Sequence, residues 1–248
     1  MLLTESHRGW FESSHHSNFN FILMNKTTEK ILLQLDDWVS DKGTGKYVPI
    51  DFNPYPIIHK NYLNEEAGIQ QNREELERFI DVLLKHDTNS CLEIGLGFFG
   101  STHFLWRQIY DRVITIEKNF ERVRQFGRNM KYFYGDWVLD DGRSEFFVGY
   151  SNDEKLISNV YKNVSEIDFL FIDGNHSYES VLCDFLLYYP LVKPGGIIGF
   201  HDTALSEDNM GVPQLIAEIR AGKYTNGKRI DVKDIVENQW SGISYFYK

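Results

Sequence analysis

Apolar positions along this chain recur with two periods, and the period switches at regular intervals from residue 72 onward. Asn72 precedes Glu75 at capping-box spacing, and Leu76, Phe79, Ile80, Leu83 and Leu84 then make one helical face. Cys91-Leu92-Glu93-Ile94 predicts a short buried strand running into Gly95-Leu96-Gly97-Phe98-Phe99-Gly100, followed by a helix with Phe104, Leu105 and Ile109 inward. Val113–Glu117 predicts a second strand, and Asn119 opens a helix carrying Phe120, Val123 and Met130. A third strand is expected at Glu145–Val148, with a helix around Leu156–Tyr161. The fourth, Ile167–Ile172, ends at Asp173-Gly174 before a helix burying Val181, Leu182, Phe185 and Leu186. The fifth, Ile197–Phe200, follows a Lys193-Pro194-Gly195-Gly196 turn. Short apolar strands alternating with amphipathic helices specify a parallel sheet covered on both faces. Arg229–Val236 and Gly242–Tyr247 read instead as two strands joined by a turn, so the sheet should finish antiparallel.

The first 70 residues follow a different pattern. Ile31, Leu32, Leu35, Trp38 and Val39 recur at helical spacing behind the capping candidates Thr27 and Thr28. Around that helix lie scattered aromatics and three of the six prolines, in stretches that break both periods. This predicts an N-terminal arm or cap over residues 1–70, attached to one domain over 71–248.

Composition narrows the function classes. The 248 residues carry 26 Lys+Arg against 36 Asp+Glu, a net charge of −10, with 42% hydrophobic and 25% charged residues. These are globular values, and the acidic balance argues against a nucleic-acid binder. Two cysteines, Cys91 and Cys183, make neither a disulfide framework nor a thiolate zinc site. Apolar runs fall well short of the ~18–20 residues of a membrane span. The opening MLLTESHRGW lacks a signal peptide's basic and apolar regions. A soluble, cytoplasmic protein without membrane or nucleic-acid partners is expected.

The chemistry concentrates at the predicted strand ends. A G-x-G-x-x-G between a strand and a helix is the setting of a ligand-binding loop. Gly95 suits the tight turn, Gly97 lets a ligand approach the backbone, and Gly100 allows close helix–strand packing. Glu117 ends the next strand, where a carboxylate can accept both hydroxyls of a ribose. A dinucleotide and S-adenosylmethionine both fit that pair. Asp173, His201 and Asp202 end strands four and five, so they can face one pocket and hold a divalent cation. The imidazole suits Mn, Fe, Ni or Zn better than Mg. His176 is a candidate base, since an imidazole with a pKa near ~6.5 accepts a proton at neutral pH.

Together the glycine loop, Phe171-Ile172-Asp173-Gly174-Asn175-His176-Ser177-Tyr178-Glu179, Lys193-Pro194-Gly195-Gly196 and His201-Asp202-Thr203 resemble class I S-adenosylmethionine-dependent methyltransferases. More narrowly, they are similar to the family of macrolide-sugar and aminocoumarin-sugar O-methyltransferases and cephalosporin-hydroxylase-like proteins. The resemblance covers about residues 70–248. It implies a Rossmann-like, doubly wound α/β fold of seven strands, mostly parallel with an antiparallel C-terminal strand. It implies that Glu93, Gly95 and Gly97 surround the methionine part of the cofactor, with Gly100 and Ser101 also counted as cofactor-binding. Glu117 would take the ribose, and Tyr150 and Ser151 would flank adenine, although Tyr150 stands where relatives carry an acid. Asp173 would lie beside the transferring methyl group. Metal-dependent relatives pair such an Asp with two acidic or amide ligands, from which His201 departs; Mg or Mn is the cation expected. In catechol O-methyltransferase-like enzymes a basic residue takes the position of His176.

The resulting expectation is methyl transfer to a hydroxyl of a small molecule, a sugar among the candidates, by a homo-oligomeric enzyme. The alternatives are a nicotinamide-dependent reductase, which the antiparallel ending and the Lys-Pro-Gly-Gly segment disfavour, and a cofactor-binding protein without turnover.

Overall fold

The computed structural model describes residues 27–40, 69, 71–97, 100–134, 141–204, 210–224, 226–237 and 241–248. Its centre is a seven-stranded sheet ordered β3-β2-β1-β4-β5-β7-β6. The strands are β1 (Ser90–Ile94), β2 (Arg112–Glu117), β3 (Ser144–Val148), β4 (Ile167–Ile172), β5 (Val192–Phe200), β6 (Lys233–Ile235) and β7 (Ile243–Tyr247). The first five pair in parallel, whereas β7 runs antiparallel to β5 and β6. This is the Rossmann-like, mostly parallel architecture with an antiparallel finish that was expected, and its strand order reverses between β1 and β4. Such a reversal leaves a crevice at the strands' carboxyl ends, where open α/β sheets bind ligands.

Helices α1 (Thr28–Ser40), α2 (Arg73–Leu83), α3 (Ser101–Ile109), α4 (Phe120–Tyr134), α5 (Glu154–Asn163), α6 (Tyr178–Tyr188) and α7 (Val212–Ala221) accompany the sheet. One core layer joins α1, α2, α3 and α4 to Cys91, Val113, Phe169 and Phe171. The other joins α5, α6 and α7 to Leu92, Ile114, Leu170 and Ile198. Alternate residues of β1 and β4 thus supply opposite layers, as the two-residue period of a strand requires. The α1 helix packs on α2 and α3. Its Trp38 stacks on Phe104 with ring centroids 4.5 Å apart, and the Trp38 indole N–H donates to Ser101 Oγ at 3.0 Å.

Four local expectations are corrected. Asn72 caps α2 by accepting from the amides of Glu74 and Glu75, but Glu75 does not reach back to close a capping box. Its carboxylate instead accepts from Glu237 N, Ser241 Oγ and Gly242 N, tying the segment before β7 to α2. Lys193-Pro194-Gly195-Gly196 lies within β5, not ahead of it. Between two paired positions β4 advances from Ile167 to Phe169 while β5 advances from Val192 to Ile197, so the surplus bulges outward around Gly195 (φ +81°). On α4 the buried anchors are Phe126 and Met130, and Phe120 is exposed. On α6 the buried face is Val181, Asp184, Phe185 and Tyr188, whereas Leu186 is 49% exposed.

Candidate active site

Three strand ends and their loops converge at the crevice. The turn after β1 is held by Gly95 N donating to Ile116 O at 2.9 Å and Asp173 N donating to Ile94 O at 3.0 Å. Gly95 has φ +97°, and a Cβ there would lie 2.1 Å from the Asp173 carbonyl oxygen. Only glycine lets the loop cross the end of β4 this closely. Gly97 (φ +67°) has nothing within 4 Å of where a Cβ would stand, so its backbone faces open space in the cleft. Gly100 serves a packing different from the one expected: its missing side chain admits the Phe126 ring of α4, 2.4 Å from the would-be Cβ.

Glu117 ends β2, 3% exposed, with its carboxylate accepting from Leu96 N at 2.9 Å and Asn119 N at 2.8 Å. Those bonds bind the glycine loop to the second strand end and fix the carboxylate at the cleft. The cavity measures about 280 Å³; Gly95, Gly97, Glu117, Tyr150, Ser151, Asp173 and His176 are among its walls.

Three expected cofactor residues are placed elsewhere. Glu93 is fully buried on the α3 side of the sheet, where its carboxyl accepts from the Trp106 indole at 3.0 Å and the Thr115 hydroxyl at 2.8 Å. Burial pushes its pKa up to about 8, against the opposing hydrogen bonds of Thr102, Thr115 and Trp106. Ser101 turns to Trp38, and Gly100 meets Phe126; none of the three is on the cleft wall. The strand period explains Glu93: Ile94 faces the cleft layer, so its neighbour faces away.

At the β4–β5 end the sheet brings four side chains together. Because β4 and β5 are neighbours, Asp173 stands beside His201 and Asp202. One ligand atom from each lies within 4.8 Å of the others, a grouping that could hold a metal ion. His201 Nδ1 is 3.3 Å from Asp173 Oδ1 and 3.2 Å from Asp202 Oδ1. His176 Nε2 is 3.0 Å from Asp202 Oδ2 and 3.8 Å from Asp173 Oδ1. Asp202 adopts φ +57°, a left-handed conformation costly for a non-glycine residue, which turns its carboxylate back onto the histidines.

Burial alone would raise the Asp173 pKa and lower those of the histidines, but the mutual charges win. Asp173 and Asp202 are held below the ordinary carboxylate range by His201 and His176. The same carboxylates raise His176 to about 10 and keep His201 well above its usual value. The expectation that His176 titrates near its unperturbed value is therefore corrected: in this arrangement the imidazole is protonated at neutral pH.

Two residues in contact with this site were not singled out from sequence. Gln71, 2% exposed and just ahead of α2, donates from Nε2 to Asp173 Oδ2 at 2.6 Å. Asp184 of α6 lines the cleft beside Gly174 and Ser151. Asp184 had a legible signal, a polar residue at helical spacing between Val181 and Tyr188; Gln71 had none.

Residues 33–203 match the model of a methyltransferase domain. The chain belongs to that methyltransferase family. An uncharacterised protein of Acanthamoeba polyphaga mimivirus is 41% identical over 83 residues, covering 31% of this chain and 36% of the relative. The matched segment thus spans about a third of that protein. Among solved structures, this chain resembles cofactor-bound Rv0187 from MTB, with TM-score 0.56, 15% identity, and coverage of 90% of this chain and 98% of that one. It also resembles the O-methyltransferase TomG from Streptomyces achromogenes, with TM-score 0.52, 15% identity, and coverage of 93% and 94%. At these identities the likeness speaks for the fold. Among the described residues, no helix is long and apolar enough to cross a membrane.

Proposed function

We propose that this chain transfers the methyl group of S-adenosylmethionine to a hydroxyl of a small molecule, a sugar being one candidate. The observation that carries the proposal is the continuity of the cleft. It runs from Glu117 and the Gly149–Asn152 loop past Gly95 and Gly97 to the Asp173–His176 corner. A cofactor laid along it with its ribose at Glu117 and its amino-acid part at the glycine loop would present its methyl group towards Asp173. The TomG structure was solved in complex with S-adenosylmethionine, which supports the same choice of cofactor.

In the reaction the acceptor oxygen forms a bond to the methyl carbon as the sulfonium bond breaks. The electron pair stays on sulfur, giving S-adenosylhomocysteine, and the acceptor loses one proton. The protein's contribution is alignment and exclusion of water. Asp173 is placed to orient the acceptor hydroxyl, with Gln71 holding its second oxygen. His176 would be the proton-handling group at the cleft wall, its Nε2–H directed at Asp202 Oδ2 at 3.0 Å with Asp173 Oδ1 3.8 Å away.

The Asp173, His201 and Asp202 donor set fits a divalent cation, since it sets a half-buried and a buried carboxylate beside a buried imidazole. Such a cation, Mg or Mn, would lower the pKa of the acceptor hydroxyl and neutralise the carboxylates that keep His176 protonated.

The test is methyl transfer from labelled S-adenosylmethionine to a panel of hydroxylated acceptors, before and after chelation. Turnover is expected, with loss on chelation, recovery on adding Mn or Mg, and loss in Asp173→Asn with cofactor binding kept. Activity indifferent to chelation in metal-free protein would remove the cation. Full activity in Asp173→Asn would remove the assignment of Asp173.

A further inference from the structure

A row of four side chains between the sheet and α3 is left unused by the methyl-transfer reading. Glu93 of β1, Thr115 of β2 and His103 of α3 are fully buried, and Ser144 opens the edge strand β3 half-buried. Thr115 Oγ1 lies 2.8 Å from Glu93 Oε2, and His103 Nδ1 lies 2.7 Å from Thr115 Oγ1. On its other side His103 Nε2 is 2.9 Å from Ser144 Oγ. Ser144 Oγ also accepts from Arg107 at 2.6 Å, and Arg107 pairs with the partly exposed Asp141. The row thus leads from a carboxyl with no exposed surface to the border of the sheet.

The imidazole in the middle is confined to its neutral form. Burial holds the His103 pKa well below its ordinary value, and the Arg107 charge acts in the same direction. A neutral imidazole donates through one nitrogen and accepts through the other, so the direction of one bond fixes the next. With Glu93 protonated, its acid proton points to Thr115, Thr115 donates to His103 Nδ1, and His103 Nε2–H donates to Ser144. With Glu93 ionised, Ser144 donates to Nε2, Nδ1–H donates to Thr115, and Thr115 donates to the carboxylate. Both orders pair every buried atom of the row, as burial demands. Between them each link passes one proton outward, and the proton that Glu93 loses is released to solvent from the Ser144 hydroxyl. The Trp106 indole donates to Glu93 Oε1 in both states, so the direction is decided at Oε2.

We propose that this row is a pH-sensitive switch: loss of the Glu93 proton reverses every hydrogen bond between Glu93 and Ser144 and exchanges the His103 tautomer from Nε2–H to Nδ1–H. The switch works at mildly alkaline pH. Burial pushes Glu93 up to about 8, the Asp173 charge at the end of β4 adds to this, and the hydrogen bonds of Thr102, Thr115 and Trp106 oppose it. Cys91, on the same strand, is held protonated beyond that range by burial and by the charge of Glu93 itself. Among the described residues, the other charges set against the row are Arg107 and Asp141, paired with each other at its outer end. The output is a negative charge two positions ahead of Gly95 and a reversed hydroxyl on the edge strand.

The experiment is NMR of the imidazole nitrogens in the full chain labelled with nitrogen-15 histidine, followed from about pH 6 to 9.5. His103 is assigned by its contacts with the Phe146 ring, stacked on it at 4.6 Å. At the acid end Nε2 should carry the proton and Nδ1 should be bare, and the two should exchange roles with a midpoint near pH 8. In Glu93→Gln the amide always donates to Thr115, so Nε2–H should persist at every pH. One tautomer throughout the wild-type titration would overturn the proposal, and so would an imidazolium at either end. An exchange that survives in Glu93→Gln would overturn it as well, since another group would then drive it. Should that variant not fold, a carbon-detected titration of the wild-type Glu93 carboxyl decides. Its midpoint should coincide with the tautomer exchange, and two separate midpoints overturn the switch.

Discussion

Replacing Glu93 with glutamine should raise the stability of this protein relative to the wild type as pH increases. Glu93 has a pKa pushed up to about 8 by complete burial, against an ordinary 4.5. Between those values the folded chain keeps a proton that the unfolded chain has released, so wild-type stability falls as pH rises and levels off above about 8. At ~1.4 kcal/mol per pKa unit, the gap amounts to about 4–5 kcal/mol by the alkaline end. Glutamine removes the proton exchange while keeping the contacts. Its carbonyl oxygen can accept from the Trp106 indole, and its amide can donate to Thr115 Oγ1, whose own proton can then turn to His103 Nδ1, 2.7 Å away. The assay is urea unfolding of both proteins from pH 5 to 8.5, compared as a difference so that the other titrating groups cancel. The variant should gain on the wild type across that interval, and cofactor affinity should be unaffected. A stability difference independent of pH would show that Glu93 is ionised in the folded protein. Loss of cofactor affinity in a stable variant would return Glu93 to the binding site.

The glycine loop offers a paired contrast. Gly95→Ala should cost more than about 3 kcal/mol in denaturant unfolding, since it combines a left-handed backbone with a clash against the Asp173 carbonyl. Gly97→Ala should fold with a cost of about 1–2 kcal/mol, and Gly97→Val should also fold but fill the open space and abolish cofactor binding in calorimetry. Equal stability of the two alanine variants would refute this reading of the loop. Trp38→Ala should lose about 3–5 kcal/mol through the cavity left beside Phe104, and a smaller loss would mean α1 contributes little to this core.

Much of the sheet was legible because central parallel strands are buried on both faces and therefore appear as unbroken apolar runs, as at Ile167–Ile172. Helical faces were less so. The α6 helix offers apolar residues at Leu182, Leu186 and Leu187 as well as at Val181 and Phe185, so its period alone could not choose a face. The structure chooses the one carrying Asp184, a polar residue whose burial makes sense only beside a cleft. The meeting of Asp173, His201 and Asp202 was readable from strand ends, once β4 and β5 were taken as neighbours. The charge state of His176 was not, because its pKa depends on two carboxylates brought near by different strands. Glu93 shows the same limit from the other side: the motif put it next to the ligand loop, and the strand's alternation turned it away. Residues 1–26, 41–68 and 70 of the expected arm lie outside the described residues.

The central claim, a cleft built for an S-adenosyl cofactor, is tested most directly by calorimetric titration of the purified protein with S-adenosylhomocysteine and, separately, with NAD. Saturable binding of S-adenosylhomocysteine is expected, weakened by about 1–3 kcal/mol in Glu117→Gln, with no comparable heat from NAD. Tight binding of NAD with none of S-adenosylhomocysteine would contradict the account.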